Sequence, residues 1–396
     1  MKEFKYKNEI EHHLVYDIAP FWKKLRDDEY GGYYGLVDYE LNPDEKAVKG
    51  CILNSRITWF FANAYDVTGD DGLLSEARHG YEFLRDHFVD GENGGVYWSL
   101  KYDGTPEDTT KHTYNQAFAI YALSSYYAVS RDADALNLAY ELYDVIEDRC
   151  RDEGGYLEAF KVDFSPESNE KLSENGVEAA RTMNTALHVL EAYTELYLAG
   201  DRAEVKASLE ELLDIFLDRI YISERSRLGV FFDLHYGSLI DLYSYGHDIE
   251  AAWLIDRALA AVKDYGREKE VRTMTRALTA SVYAHAYRES GDVASLPAEC
   301  ERGIDKETRV WWVQAEAVVG YLNRWQLAGD QADLDRSFAS WDYIKRAVIA
   351  PDGEWYWGRK ASGAVNLEDD RAGFWKCPYH NGRMCMELIT RLQLLP

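Results

Sequence analysis

Helical stretches of two kinds alternate along this chain, and the placement of charge separates them. From Asn115 to Val129 there is no charged residue, and Phe118, Ile120, Tyr121 and Leu123 supply apolar bulk; Ile57 to Tyr65 is uncharged in the same way. A helix with no polar face has to be buried on every side. Asp71 to Asp90 and Asp201 to Arg219 instead set Leu, Phe and Tyr three and four residues apart with Glu, Arg and Asp between them. That spacing gives one dry stripe and one wet face. The first kind predicts inner helices and the second outer ones. Continued along the chain, the pairing predicts helices near 6–27, 54–67, 71–89, 111–130, 134–150, 181–198, 202–221, 247–263, 268–289, 311–328, 332–349 and 379–394, which make six pairs.

A short glycine-aromatic phrase punctuates the pairs. It recurs at Gly31-Gly32-Tyr33-Tyr34, Gly94-Gly95-Val96-Tyr97, Gly154-Gly155-Tyr156-Leu157, Gly229-Val230-Phe231-Phe232 and Gly353-Glu354-Trp355-Tyr356, with a degraded copy expected near Pro297 to Gly303. Each reads as a tight turn feeding a short strand. Pro43, Pro106, Pro166, Pro297, Pro351 and Pro378 fall in the connections, where a missing amide donor costs nothing; only Pro20 lies inside a predicted helix, which it is expected to kink or shorten. Six helical hairpins can stack as an open array or close into a ring. The first helix (Ile10, Leu14, Ile18, Phe21) and the last (Met384, Leu388, Leu392) each carry an apolar stripe that the other can cover, which favours closure. The expected fold is all-α: one (α/α)6 barrel spanning residues 1–396, with short β-hairpin loops and no linker that would separate domains.

Composition narrows the partners. The chain of 396 residues is 46% hydrophobic, enough for a large core, and its formal net charge of −26 repels phosphate backbones and anionic lipid headgroups. Nucleic acid and membrane surfaces are therefore not expected partners. No run of apolar residues is long enough to span a bilayer, and Met1 to Ile10 does not read as a signal peptide or anchor. Cys51, Cys150, Cys300, Cys377 and Cys385 are odd in number and far apart, so free thiols in a reducing cytoplasm are expected. Neither oligomeric state nor a purpose for the negative charge can be read from these features.

Burial makes the ionisable residues of the inner helices conspicuous, since a lone charge taken out of water is costly. The exceptions are Arg56, Asn184 with His188, His247 with Glu250, Glu316 and His380, joined by Tyr114-Asn115-Gln116. All fall in the first turns of inner helices, one contribution per repeat, so in a closed ring they converge on one mouth. Tyr114, Trp253, Trp311, Trp312 and Trp375 stand close to the same helix starts, and Trp faces stack well on pyranose rings. The cluster has the make-up of a carbohydrate pocket, with a small sugar as the expected partner. By contrast, His12, His13, His79, His87 and His285 lie on outer or terminal segments and are expected to be surface or packing residues; His112 and His235 lie near the mouth with either role open.

Three imidazoles suit reversible proton transfer near neutral pH. Two on opposite faces of a sugar can remove a proton from the carbon beside a carbonyl and return one to the other face, inverting that centre without a cofactor. Arg56 and a third imidazole can hold the enediolate formed in between, and Glu250, three residues after His247, is placed to orient its ring. His247-x-x-Glu250 lacks a matching motif on a second helix, and no phosphate-binding glycine motif is present, so neither metal nor cofactor is expected.

The stretches Asn54-Ser55-Arg56, Lys111-His112-Thr113-Tyr114-Asn115-Gln116-Ala117-Phe118, Asn184-Thr185-Ala186-Leu187-His188, Gly246-His247-Asp248-Ile249-Glu250-Ala251-Ala252-Trp253, Trp311-Trp312-Val313-Gln314-Ala315-Glu316 and Trp375-Lys376-Cys377-Pro378-Tyr379-His380-Asn381-Gly382-Arg383 resemble the N-acylglucosamine 2-epimerase superfamily, and within it the cellobiose 2-epimerases. The resemblance implies an (α/α)6 barrel and cofactor-independent 2-epimerisation that interconverts glucose and mannose at the reducing end of β-1,4-linked disaccharides. It also implies His247 and His380 as the acid/base pair, Arg56 and His188 as stabilisers of the enediolate, and Glu250 as support for His247. Tyr114, Asn184, Trp253, Trp312, Glu316 and Trp375 would shape the sugar site. Relatives acting on free mannose or N-acylglucosamine share the histidines, so a mannose 2-epimerase or isomerase is the first alternative. Two others are a glycoside hydrolase using Glu250 and Glu316, and a sugar-binding module without chemistry.

Overall fold

The uncharged stretches form six inner helices and the amphipathic stretches six outer ones. A computed structural model describes residues 2–172, 176–263 and 265–393. The inner helices are α2 (Cys51–Thr68), α4 (Thr113–Ser130), α6 (Met183–Gly200), α8 (Tyr245–Val262), α10 (Trp311–Ala328) and α12 (His380–Gln393). The outer helices are α1 (Lys2–His13), α3 (Asp71–Phe83), α5 (Ala133–Arg149), α7 (Ala203–Ile215), α9 (Glu268–Ala286) and α11 (Gln331–Ala347). Each inner helix packs on the next, α12 packs on both α2 and α1, and the ring is closed. The N- and C-terminal apolar stripes do meet: Ile10, Leu14, Ile18, Leu388 and Leu392 are all buried in one continuous core. No helix among the described residues is long and apolar enough to cross a membrane.

Local chemistry sets the hairpin corners. Gly69, Arg131, Asp201 and Gly329 end α2, α4, α6 and α10 in the left-handed conformation. The residue after three of these is an aspartate, Asp70, Asp132 or Asp330, whose side chain caps the following outer helix. Pro20 is absorbed without a break. A π turn over Leu14–Ile18 widens the helix just before it, where the carbonyl one turn back would meet the ring, and Ala19–Lys23 continues the rod. The helix then ends at Lys23, short of the predicted 27.

At the mouth, each of the first five inner helices is entered through a short strand that pairs with the following repeat. Lys49–Gly50 pairs with Ser99–Leu100, Lys111–His112 with Ala159–Phe160, Arg181–Thr182 with Phe231–Phe232, Leu242–Ser244 with Glu299–Glu301, and Arg309–Val310 with Gly358–Arg359. This lacing fixes where the first turns of these five helices stand relative to their neighbours.

A second device ties each helix to its own turn. Asn54 Oδ1 accepts from the Tyr33 amide at 3.0 Å, Gln116 both accepts from and donates to Val96, Asp248 accepts from the Leu228 amide, and Gln314 brackets Leu296 on both sides. Gly32 and Gly95 take positive φ beside these contacts, and a Cβ on Gly32 would lie 2.8 Å from Asn54 Oδ1. Two expectations are corrected here. Gln116 is a structural clamp rather than part of the polar mouth, and Asn115 donates to the Tyr97 carbonyl. The sixth turn lies at Gly291 to Leu296, joining Arg288–Ser290 to Val293–Ser295, not at Pro297 to Gly303. It keeps the clamp but has no paired glycine or aromatic residue, which hides it in the sequence.

Candidate active site

The first turns of the inner helices surround one cavity of about 1140 Å³ including its open mouth, walled by Arg56, Tyr114, Asn184, His188, His247, Glu250, Trp312, Trp375 and His380. Among these are all three histidines picked out by repeat phase. Each turns Nδ1 toward the protein. His188 Nδ1 lies 2.9 Å from Glu191 Oε2, His247 Nδ1 lies 2.6 Å from Ser244 Oγ, and His380 Nδ1 lies 2.7 Å from Glu316 Oε1. Anchoring one ring nitrogen leaves Nε2 to work on a substrate and, where the anchor is a carboxylate, sets the tautomer. The ring of Trp312 contacts both His247, at 4.7 Å between centroids, and His380, at 5.3 Å. These two imidazoles thus flank one indole, while His188 stands against the edge of Tyr114 at 5.1 Å.

Burial sets the protonation states. It lowers His247 to about 3, with His188 adding to the fall and Glu316 opposing it. It also lowers His188, against the pull of Glu191, and lowers His380, with Arg383 and Arg56 adding to the effect. All three rings are therefore neutral in the empty site at pH 7 and able to accept a proton.

Arg56 supplies a fixed positive charge on the wall. Its guanidinium lies between the rings of Phe118 and Tyr379, at 4.1 and 4.6 Å, and donates to Tyr114 Oη at 2.8 Å and to Cys377 Sγ at 3.7 Å. None of these partners is a carboxylate, so its charge is left to act on the cavity. Behind the histidines lies a second layer absent from the sequence expectations. Arg383, on α12 one turn after His380, donates to Glu191, Glu250 and Glu316 and to Tyr379 Oη. Burial alone would raise the Glu191 carboxyl, but Arg383 and the His188 hydrogen bond hold it well below the usual range. Arg383 and Glu191 were legible in principle, since each is an ionisable residue on an inner helix three places after one of these histidines. They lie one turn deeper than the helix starts on which the sequence reading concentrated. Ser244, Trp311 and Trp357 also line the cavity, the last directly after the phrase Gly353 to Tyr356.

Several expected roles change. Glu250 does not orient His247, which is held by Ser244; Glu250 Oε1 accepts from Arg383 and lies 3.9 Å from His380 Nδ1. Three residues along the helix is near enough for a contact, but the carboxylate is drawn across the ring to the guanidinium. Trp253 and Glu316 are each 0% exposed and lie behind the wall, Trp253 Nε1 donating to Glu316 Oε2 at 2.9 Å, so neither meets a sugar. Glu316 Oε1 instead lies 2.7 Å from His380 Nδ1. With Glu316 sealed and both carboxylates sharing Arg383, Glu250 and Glu316 do not flank a glycosidic bond as a hydrolase requires. Glu250, Glu316 and His380 bring donor atoms within 4.8 Å of one another, yet the guanidinium already bonds both carboxylates and supplies the counter-charge a metal would bring.

The remaining histidines stay out of the cavity. His112 is fully buried against Trp98 with neither nitrogen bonded among the described residues, and His235 is exposed on a turn capped by Asp233. His13, His79, His87 and His285 make packing or backbone contacts on outer elements, and His12 stacks on Tyr16.

Comparison with known proteins gives a consistent result. The family model described as N-acylglucosamine 2-epimerase (GlcNAc 2-epimerase) matches residues 31–381. A cellobiose 2-epimerase of Ruminococcus albus is 47% identical over 386 residues, covering 97% of this chain and 98% of its own. The solved structure of cellobiose 2-epimerase from Bacillus thermoamylovorans superposes with a TM-score of 0.94 at 43% identity, covering 98% of this chain and 99% of its own. A D-mannose isomerase structure, at 18% identity, TM-score 0.82 and 98% and 97% coverage, shares the fold.

Proposed function

The chain belongs to the N-acylglucosamine 2-epimerase family, and from that premise we propose that it interconverts glucose and mannose at the reducing end of β-1,4-linked disaccharides, turning cellobiose into glucosyl-mannose. The observation that carries this reading is the pair His247 and His380, flanking one indole with Nδ1 anchored and Nε2 left to the cavity. One imidazole takes the proton from C2 of the open-chain sugar. The enediolate forms beside Arg56 and His188, whose positive charge and ring nitrogen stabilise the developing oxyanion. The other imidazole, as an imidazolium in the substrate complex, gives its Nε2 proton to the opposite face. All these groups belong to the chain itself, which supports a cofactor-independent reaction. Tyr114, Asn184, Trp312 and Trp375 shape the site, and Asn184 Oδ1 has no partner among the described residues, which leaves it for a sugar hydroxyl.

A disaccharide is favoured over a free hexose because the cavity continues past the imidazoles to Lys171, Glu299 and Trp357 on the loops. The working unit is the whole chain, residues 1–396, since ring closure needs both ends. The five cysteines are free thiols, which fits a cytoplasmic setting.

Incubation with cellobiose in heavy water tests the proposal. Deuterium should enter at C2 of the reducing sugar and glucosyl-mannose should accumulate. Release of glucose, or a ketose as the main product, would overturn it, and faster turnover of free mannose than of cellobiose would move the activity to monosaccharides.

A further inference from the structure

Three copies of the glycine-aromatic phrase are followed directly by Trp98, Glu158 and Trp357. All three residues do the same backbone work: their carbonyls accept the first amide of an inner helix, from Cys51, Thr113 and Trp311 respectively. Their side chains differ. Trp357 lines the cavity and Trp98 packs against Trp375 of its wall, at 6.2 Å between centroids. Glu158 is only 2% exposed and reaches the next inner helix instead. Its Oε1 accepts from the Thr182 amide and its Oε2 from the Thr185 hydroxyl, both at 2.6 Å. Thr182 is the residue that enters α6, and its own hydroxyl caps the Thr185 amide at 3.0 Å. Glu158 pairs with no cation among the described residues, since the neighbouring Arg181 bonds Asp152 and the carbonyls of Tyr156 and Leu234. Burial pushes this carboxyl up to about 7, against the pull of the two threonine bonds. Either protonation state keeps the grip. One oxygen still accepts from the amide, and the other meets a hydroxyl that accepts a proton as readily as it donates one.

We propose that Glu158 is a positioning residue for the reaction: with its carbonyl on α4 and its carboxyl on α6, it sets Asn184 and His188 at their working distance from Tyr114 and Arg56. Tyr114 is the second residue of α4, holds Arg56 Nη2 at 2.8 Å and meets His188 edge-on at 5.1 Å. Thr182, Asn184 and His188 all line the cavity, the last two within the first two turns of α6. Along the chain the two helix starts are separated by the whole of α5 and a long loop. Through Glu158 they are one residue apart. The side chain does not touch the sugar and acts through the α6 backbone. Displacing a stabilising group by about 1 Å is enough to cost up to about 100-fold in rate.

This role rests on the 2-epimerase reading, with C2 deuteration of cellobiose as the measure of turnover. Glu158→Ala should lower kcat per folded molecule by about 10-fold or more, with KM rising less, because His188 counts most when the enediolate forms. Glu158→Gln, whose side-chain carbonyl still accepts from Thr182, should stay within about threefold of wild type. Gln116→Ala is the control. It also strips hydrogen bonds from buried backbone at a mouth turn, yet should leave kcat nearly unchanged. In the sugar-free protein the ring nitrogen NMR signals of His188 should move in Glu158→Ala and stay in Gln116→Ala. Unchanged kcat in Glu158→Ala, or a loss in Glu158→Gln as deep as in Glu158→Ala, would overturn the proposal. If Glu158→Ala does not fold, Thr185→Val decides, since it removes one of the two bonds at a buried position. A kcat loss of about threefold or more then sustains the role, and unchanged kcat overturns it. Wild-type protein that leaves C2 unlabelled would refute the epimerase reading, and the His188 signals then decide on Glu158 by themselves: moved, the role stands; unmoved, it falls.

Discussion

Histidine 247 shows how far a residue's behaviour depends on what surrounds it. Burial holds its folded-state value near 3, well below the ordinary 6.5; its hydrogen-bond partner is Ser244, a hydroxyl without charge, while His188 and Glu316 act on it from a distance with opposite signs. A lowered imidazole stays neutral as pH falls through 6.5, so the acid limb of kcat/KM should lie below that value, with the rate flat between about pH 5.5 and 7. A pH–rate profile checks this. The same sign applies to stability. In the unfolded chain these histidines gain protons below about 6.5, whereas folded His112, His188, His247 and His380 resist it. Stability should therefore fall as pH drops below 6.5, and His112→Phe should reduce that loss in denaturant titrations at pH 5. His112 is the informative position because it lies outside the cavity. The histidines were legible in the sequence through their repeat phase; the loss of Glu250 from His247 was not, because a carboxylate three residues away competes with a guanidinium that only the folded ring brings near.

Among the elements, the side-chain clamp from each inner helix to its turn carries the registration. Gln116 and Gln314 each make two hydrogen bonds to buried backbone, to Val96 and Leu296. Gln116→Ala leaves a buried amide and carbonyl without partners, at a cost of about 1–3 kcal/mol for each group, read as a fall in the denaturant midpoint. Turnover per folded molecule should change less than stability, because Gln116 does not reach the cavity. The six-fold helix pattern was plain in the sequence, since burial on all sides excludes charge over a whole stretch. The turn at Gly291 was hidden because one glycine and a distant glutamine suffice to build it.

At the scale of the molecule, closure depends on a buried polar weld between the two ends of the chain. Glu354 accepts from Trp22 Nε1, Lys376 Nζ and Asn381 Nδ2 at 2.7, 2.8 and 2.9 Å, joining the Ala19–Lys23 segment that continues α1, the last turn and α12. Lys376 and Glu354 are both fully buried. Lys376→Met strands the carboxylate and should destabilise the protein by about 3–5 kcal/mol, measured as a lower midpoint in urea. Related pairs, Lys49 with Asp27 and Lys111 with Asp90, recur at earlier mouths, so the weld is the last copy of a repeated device.

By itself the sequence determined the number of helices, which of them face water, the closure of the ring and the meeting of His188, His247 and His380, because each follows from a local rule of burial repeated six times. Tertiary structure alone decided that Glu250 leaves His247 for Arg383 and that Trp253 and Glu316 stand behind the wall, bonded to each other. Those choices are made between side chains tens to hundreds of residues apart, where small differences in distance and burial determine which partner wins. No periodicity along the chain encodes such a competition.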